Sequence, residues 1–236
     1  MVRHVPEVIE QSASQENAAA PLVMSYLLQR SLVGVLAVLL PPVLLLVNWG
    51  LGHGFQPSLS GYYYTPVRDV FIGTLCAIGV FLISYYGYDR ADRIITDCAG
   101  LGALLVAFFP TTPGGRPTAR QVIVGDFHLG FACATFVLLA VMAFRFAKRE
   151  PTPPRLALWQ RLKYAFGFTG PGDSARPQWA TVVYRASGCV ILVCLSLAWP
   201  LSTVTYSLVV LETIILLAFG LSWFVKGRKI LPWAHG

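Results

Sequence analysis

Long apolar runs alternate with short polar gaps along this chain, and its basic residues collect in every second gap. There are six such runs, near residues 31–50, 68–86, 94–110, 126–146, 183–200 and 206–225. Each approaches the ~20 residues that an α-helix needs to cross the hydrocarbon of a bilayer. Backbone polar groups find no partners in lipid, so spans of this kind are expected to be helical. One side of such a bundle holds Arg3, Arg30, Arg90, Arg93, Arg145, Lys148, Arg149, Arg155, Arg161, Lys163, Arg176, Arg185, Lys226, Arg228 and Lys229. The other side holds only Arg68, Arg116 and Arg120. Lys and Arg resist translocation, which puts the basic side, with both termini, in the cytoplasm. The expectation is an all-α bundle of six transmembrane helices.

Composition agrees. The 236 residues are 56% hydrophobic and only 12% charged, against about 25% charged in a soluble domain. A net charge of +7 gathered on one side suits anionic inner-leaflet lipid as a partner, and nucleic acid is not expected. Residues 1–29, rich in Ser, Gln, Glu and Ala, read as a disordered cytoplasmic tail. Residues 30–226 form the six-helix domain, including a basic cytoplasmic loop at 147–182, and 227–236 are a second cytoplasmic tail. The first apolar run carries Pro41-Pro42, which should kink it. No cleaved signal peptide is expected. Cys76, Cys98, Cys133, Cys189 and Cys194 have no metal-site spacing and read as reduced core thiols.

Within the long loop, Trp159, Leu162 and Phe166 share one face at helical spacing, while Arg161 and Lys163 lie away from it. That pattern fits a helix lying in the membrane surface as an anchor. Docking to another membrane protein is the competing use.

Charge inside a span costs at least ~2.5 kcal/mol on insertion scales, so each case needs a reason. Glu212 lies about two turns into the last run with no basic residue near it in sequence. Topology brings candidate partners to the same depth. Arg68 and Asp69 open the second run, Asp126 and His128 open the fourth, and Asn48 closes the first. The tyrosines at 62–64 suit the water–lipid interface. Asp126 and His128 are two residues apart and point about 200° apart on a helix, which favours His128 inward and Asp126 as a cap or interface residue. Arg68, Asp69, His128 and Glu212, with Tyr63 and Asn48, thus form a candidate site for a lipid headgroup or small ligand. A purely structural network is the plainer reading.

On the basic side, Asp97 can reach Arg93 one turn earlier and the Asp89–Arg93 turn is expected to close by ion pairing. The histidines are His4, His53, His128 and His235, too scattered for a three-ligand zinc site, and no cofactor motif is present. Ser84 and Ser187 have no histidine at their depth. Binding without catalysis is the leading function. A lipid-modifying enzyme using His128 and Glu212 as acid and base, a proton-coupled transporter using Glu212, and an accessory subunit of a larger membrane complex are the alternatives.

Two stretches carry a resemblance. One is Tyr62-Tyr63-Tyr64-Thr65-Pro66 followed by Arg68-Asp69-Val70-Phe71-Ile72-Gly73. The other is Ala107-Phe108-Phe109-Pro110-Thr111, with His128 opening the next helix. With six spans, residues 30–226 resemble bacterial six-helix membrane proteins similar to the Frag/DRAM/Sfk group. The resemblance implies a six-helix fold in a bacterial cytoplasmic membrane and a role at lipids. It assigns no catalytic residues, and the long basic loop departs from the family's tight connections.

Overall fold

The computed structural model describes residues 5–150 and 179–228, with side chains at 27–150 and 179–227. Among them are six α-helices and one short 3₁₀ helix, and no strand. They are α1 (Val5–Gly50), η1 (Ser60–Tyr64), α2 (Arg68–Ile83), α3 (Arg90–Phe108), α4 (Ala119–Lys148), α5 (Trp179–Ala198) and α6 (Ser207–Arg228). Helix α1 starts at Val5, well ahead of the apolar run, and remains helical through Pro41-Pro42. Helix α4 likewise starts before its apolar run. Thr118 accepts from the Gln121 N–H at 3.3 Å, and Gln121 accepts from the Thr118 N–H at 2.8 Å. This capping box satisfies two N–H groups that an open helix end would leave unpaired.

Each helix packs on the next, and α6 closes back on α1, so the six form a ring. Two seams depend on glycine pairs. A Cβ on Gly34 would lie 2.7 Å from the Gly220 carbonyl oxygen, and one on Gly220 would lie 2.7 Å from that of Gly34. Gly79 and Gly100 face each other across α2 and α3 in the same way. Small residues let backbones approach where lipid supplies no hydrophobic drive for association. Among the described residues four stretches are long and apolar enough to cross a membrane: Leu27–Gly50, Ala119–Lys148, Trp179–Ala198 and Ser207–Gly227. Helix α2 has only 16 residues, and α3 carries Arg90, Asp92, Arg93 and Asp97. Leu46, Leu101, Phe127, Val193 and Val210 are more than half exposed on the outside of the ring. All five thiols are free, but only Cys194 is buried, and Cys98 and Cys189 are exposed. The candidate surface helix at Trp159, Arg161 and Lys163 lies outside the described residues.

The end of the ring opposite η1 is held by charge. Asp89 caps α3 by accepting from the Asp92 N–H at 2.8 Å. Asp92, 1% exposed, accepts from the Tyr88 N–H at 3.0 Å and pairs with Arg145. Arg145 also donates to both Asp89 oxygens at 2.8 Å, and Arg149 pairs with Asp89. The exposed Arg93–Asp97 pair spans 3.8 Å. Gly87 permits this turn, since its φ is +67° and a Cβ there would strike Asp92. The Asp92 N–H, with the Arg145 and Arg149 guanidinium groups, holds the Asp89 carboxyl below its ordinary range. Beside this network Lys226 reaches Glu150 at 3.2 Å, and Arg30 donates to the Tyr85 hydroxyl at 3.0 Å. Tyr85, Phe146, Tyr184 and Trp223 close the core here with edge-on ring contacts.

Candidate functional site

The η1 end gathers polar groups from four separate segments. Helix α3 ends at Phe108, and Phe109 follows in extended backbone. Carbonyls at a helix end lack intrahelical partners, and Phe109 finds one in His128. His128 Nδ1 lies 2.6 Å from the Phe109 oxygen, and its Nε2 lies 2.9 Å from Ser60 Oγ. The imidazole sits on the inner face of α4 and is 4% exposed. A carbonyl only accepts, so Nδ1 carries the proton and Nε2 is left with its lone pair, and the one proton of the Ser60 hydroxyl has two acceptors within reach, Nε2 and the Glu212 carboxylate.

Ser60 is set in place from the other side by α6. The Glu212 carboxylate accepts the Leu59 N–H at 2.5 Å, and the Ser60 N–H and hydroxyl face the same carboxylate. One turn earlier the Val209 N–H donates to the Pro57 carbonyl at 2.9 Å. The 57–60 segment is therefore clamped on α6 at two points. The lone acid of the last apolar run finds its donors in the 57–60 connection and not on another apolar run.

Two cavities meet at this cluster. A wide one of about 390 Å³ opens between α4, α5, α6 and the connecting loops, with Ser60, Asp126, His128, Thr112, Glu212 and Trp199 in its wall. A smaller one of about 60 Å³ lies toward the middle of the ring among Leu40, Phe71, Ile78, Val106, Leu139 and Phe219. Ser60, Ala132, Phe136 and Glu212 line both. At roughly 10–15 Å³ of such volume per water, the wide cavity takes a head-group-sized molecule and the narrow one a few methylene-sized groups. The described wall of the wide cavity contains two acids and no Lys or Arg.

Of the residues expected at the site, Glu212 and His128 meet through Ser60, and Asp126 joins them in the wide cavity wall although it is exposed on α4. The 200° separation of Asp126 and His128 is accommodated because the cavity is broad enough to touch two faces of α4. The other candidates stand elsewhere. Arg68 lies over the Tyr63 ring, 4.7 Å from its centroid, and donates to the Tyr63 hydroxyl at 3.4 Å. Asp69 is exposed in the first turn of α2, where an acid complements the helix dipole. Asn48 is fully buried and donates to the Gly54 carbonyl at 2.9 Å, fastening the turn after α1. None of these four lines either cavity.

Ser60 escapes a reading by span depth, because it belongs to a connection and not to an apolar run. The available signal is Ser58-Leu59-Ser60-Gly61, a small polar stretch ahead of the tyrosines. Among the described residues no three of His, Cys, Asp and Glu converge as metal ligands. No protein-family model matches the chain, and neither does any curated protein or solved structure.

Proposed function

We propose that this chain is a six-span protein of the cytoplasmic membrane that binds an amphiphilic molecule in a pocket open to the outer face. The observation that carries this reading is the wide cavity with His128 and Glu212 in its wall, continuous in lining with an apolar chamber. A wide chamber that carries a few polar groups in a largely apolar wall, joined to a narrow and nearly all-apolar one, matches a ligand with a head and a tail. With Asp126 and Glu212 present and no described basic residue in the wall, a head bearing hydroxyl or amine groups fits better than a phosphate. The closed ring supports α2 and α3 as a packed pair of spans beside the four longer helices. The basic network on Arg145, Arg149 and Lys226, set against the few basic residues near η1, supports the orientation.

The test is native mass spectrometry of the chain released from membranes with its neighbouring lipids. A bound molecule on the wild type that is lost from His128→Ala and from Glu212→Leu, with both variants still folded, is the expected result. A ligand-free wild type, or an adduct retained by both variants, would return the cluster to a structural role.

A further inference from the structure

We propose that Ser60 is a nucleophile activated by His128, and that the pocket hydrolyses a carboxylic ester of the amphiphile it holds. This rests on the binding reading for the substrate, but Ser60 reactivity is measured separately from binding.

Phe109 offers a carbonyl, so the His128 Nδ1–H donates to it at 2.6 Å, and Nε2 is left as a base. Ser60 Oγ lies 2.9 Å from that nitrogen and also faces the Glu212 carboxylate, so its hydroxyl is primed for attack when its proton turns from Glu212 to Nε2. Nucleophile, base and orienting acceptor thus stand in sequence, the arrangement by which a hydroxyl that is inert at neutral pH becomes reactive. The orienting group is a backbone carbonyl and not a carboxylate, so it fixes the tautomer without supplying a full negative charge. Glu212 acts as a positioning residue, because it grips the Leu59 N–H and so holds the backbone that carries Ser60.

Ser60 is partly exposed and lines both cavities, so the residue stands at their junction. A purely structural Ser–His bond has no need of that position. An ester placed there would send a short apolar acyl arm toward Phe71 and Leu139 and leave its alcohol portion in the wide cavity beside Asp126.

In the first step Ser60 Oγ bonds to the ester carbonyl carbon while its proton passes to His128 Nε2. The carbonyl π pair moves onto its oxygen. Collapse breaks the bond from that carbon to the alcohol oxygen, and the alcohol leaves with the proton from Nε2. A water molecule then attacks the acyl-Ser60 carbon, giving a proton to Nε2, and Ser60 leaves as its oxygen recovers that proton. Ester and water become acid and alcohol, and the enzyme is restored.

The experiment treats the full chain in lipid nanodiscs with an alkyl fluorophosphonate, whose phosphorus captures activated serines with loss of fluoride. Intact and peptide masses are then read. One adduct per chain, located on Ser60, is expected. Ser60→Ala should remove it, and Ser196→Ala on α5 should not. Loss of a general base costs about 10²–10⁴-fold in rate, so labelling of His128→Gln should slow at least 100-fold, with its melting temperature recorded to show that it is folded. A wild type that carries no adduct, or one on another serine, overturns the proposal whatever the variants do. Lipid bound to the wild type without Ser60 labelling defeats the nucleophile and spares the binding reading. Absence of both defeats the two together.

Discussion

Replacing Arg145 by Gln should remove most of what holds the basic end of the bundle shut. Asp92 is 1% exposed and pairs with Arg145, whose own side chain is 27% exposed. Removing one partner of a buried ion pair costs about 3–5 kcal/mol, because the remaining charge stays buried without compensation. Two features lower that figure here. Asp92 keeps the Tyr88 N–H at 3.0 Å, and Arg149 stands 3.8 Å away. A net loss of about 2–3 kcal/mol follows from the lower end of that range. For a chain of this size it corresponds to a fall of about 4–12 °C in melting temperature. Thermal unfolding in one fixed detergent, followed by tryptophan fluorescence, reads this, since Trp223 is buried 5.4 Å from the Phe146 ring next to Arg145. Asp92→Asn removes the charge while nearly preserving volume. The double variant should recover part of the loss, with a coupling of about 1–2 kcal/mol, as contacting charges do. An Arg145→Gln protein that melts within a degree of the wild type would refute the reasoning. So would a double variant whose loss equals the sum of the two single losses.

Other expectations are open to the same assay. Gly220→Ala places a methyl against the Gly34 carbonyl and the α1 backbone, which must then move apart. Overpacking of this kind costs about 1–3 kcal/mol, and an unchanged melting curve would show the α1–α6 seam to be looser than described. Tyr184→Phe removes a buried hydroxyl with no hydrogen-bond partner among the described residues. It should leave stability level or raise it by up to about 1 kcal/mol, and a clear loss would reveal a partner for that hydroxyl. Asp89 has a carboxyl pKa below its ordinary value when folded. Its contribution is therefore complete above the unfolded pKa of about 4 and fades as pH falls through the lower folded value. Acid unfolding of Asp89→Asn should lack that step, and a titration identical to wild type would assign the step to another carboxylate.

The alternation of apolar runs with basic and non-basic gaps determined much about this protein by itself. Hydrophobic burial along a helix is local in sequence, so six helices near the expected positions could be read directly. The inward face of His128 and the Arg93–Asp97 pair are legible for the same reason, since both follow from helical spacing. The shared site at Ser60 is not local. Glu212 shows only that an acid must find a partner. Which partner it finds depends on where the 57–60 connection folds, and that is decided by the Val209–Pro57 bond and by the way α3, α4 and α6 meet. Arg68 has the right depth for the site but turns onto Tyr63, because a cation at an exposed helix end is held as well by a neighbouring ring as by a distant acid. Depth along each helix was written in the sequence, and azimuth around the ring was supplied only by packing. The joining of His128, Ser60 and Glu212 across three segments needs both.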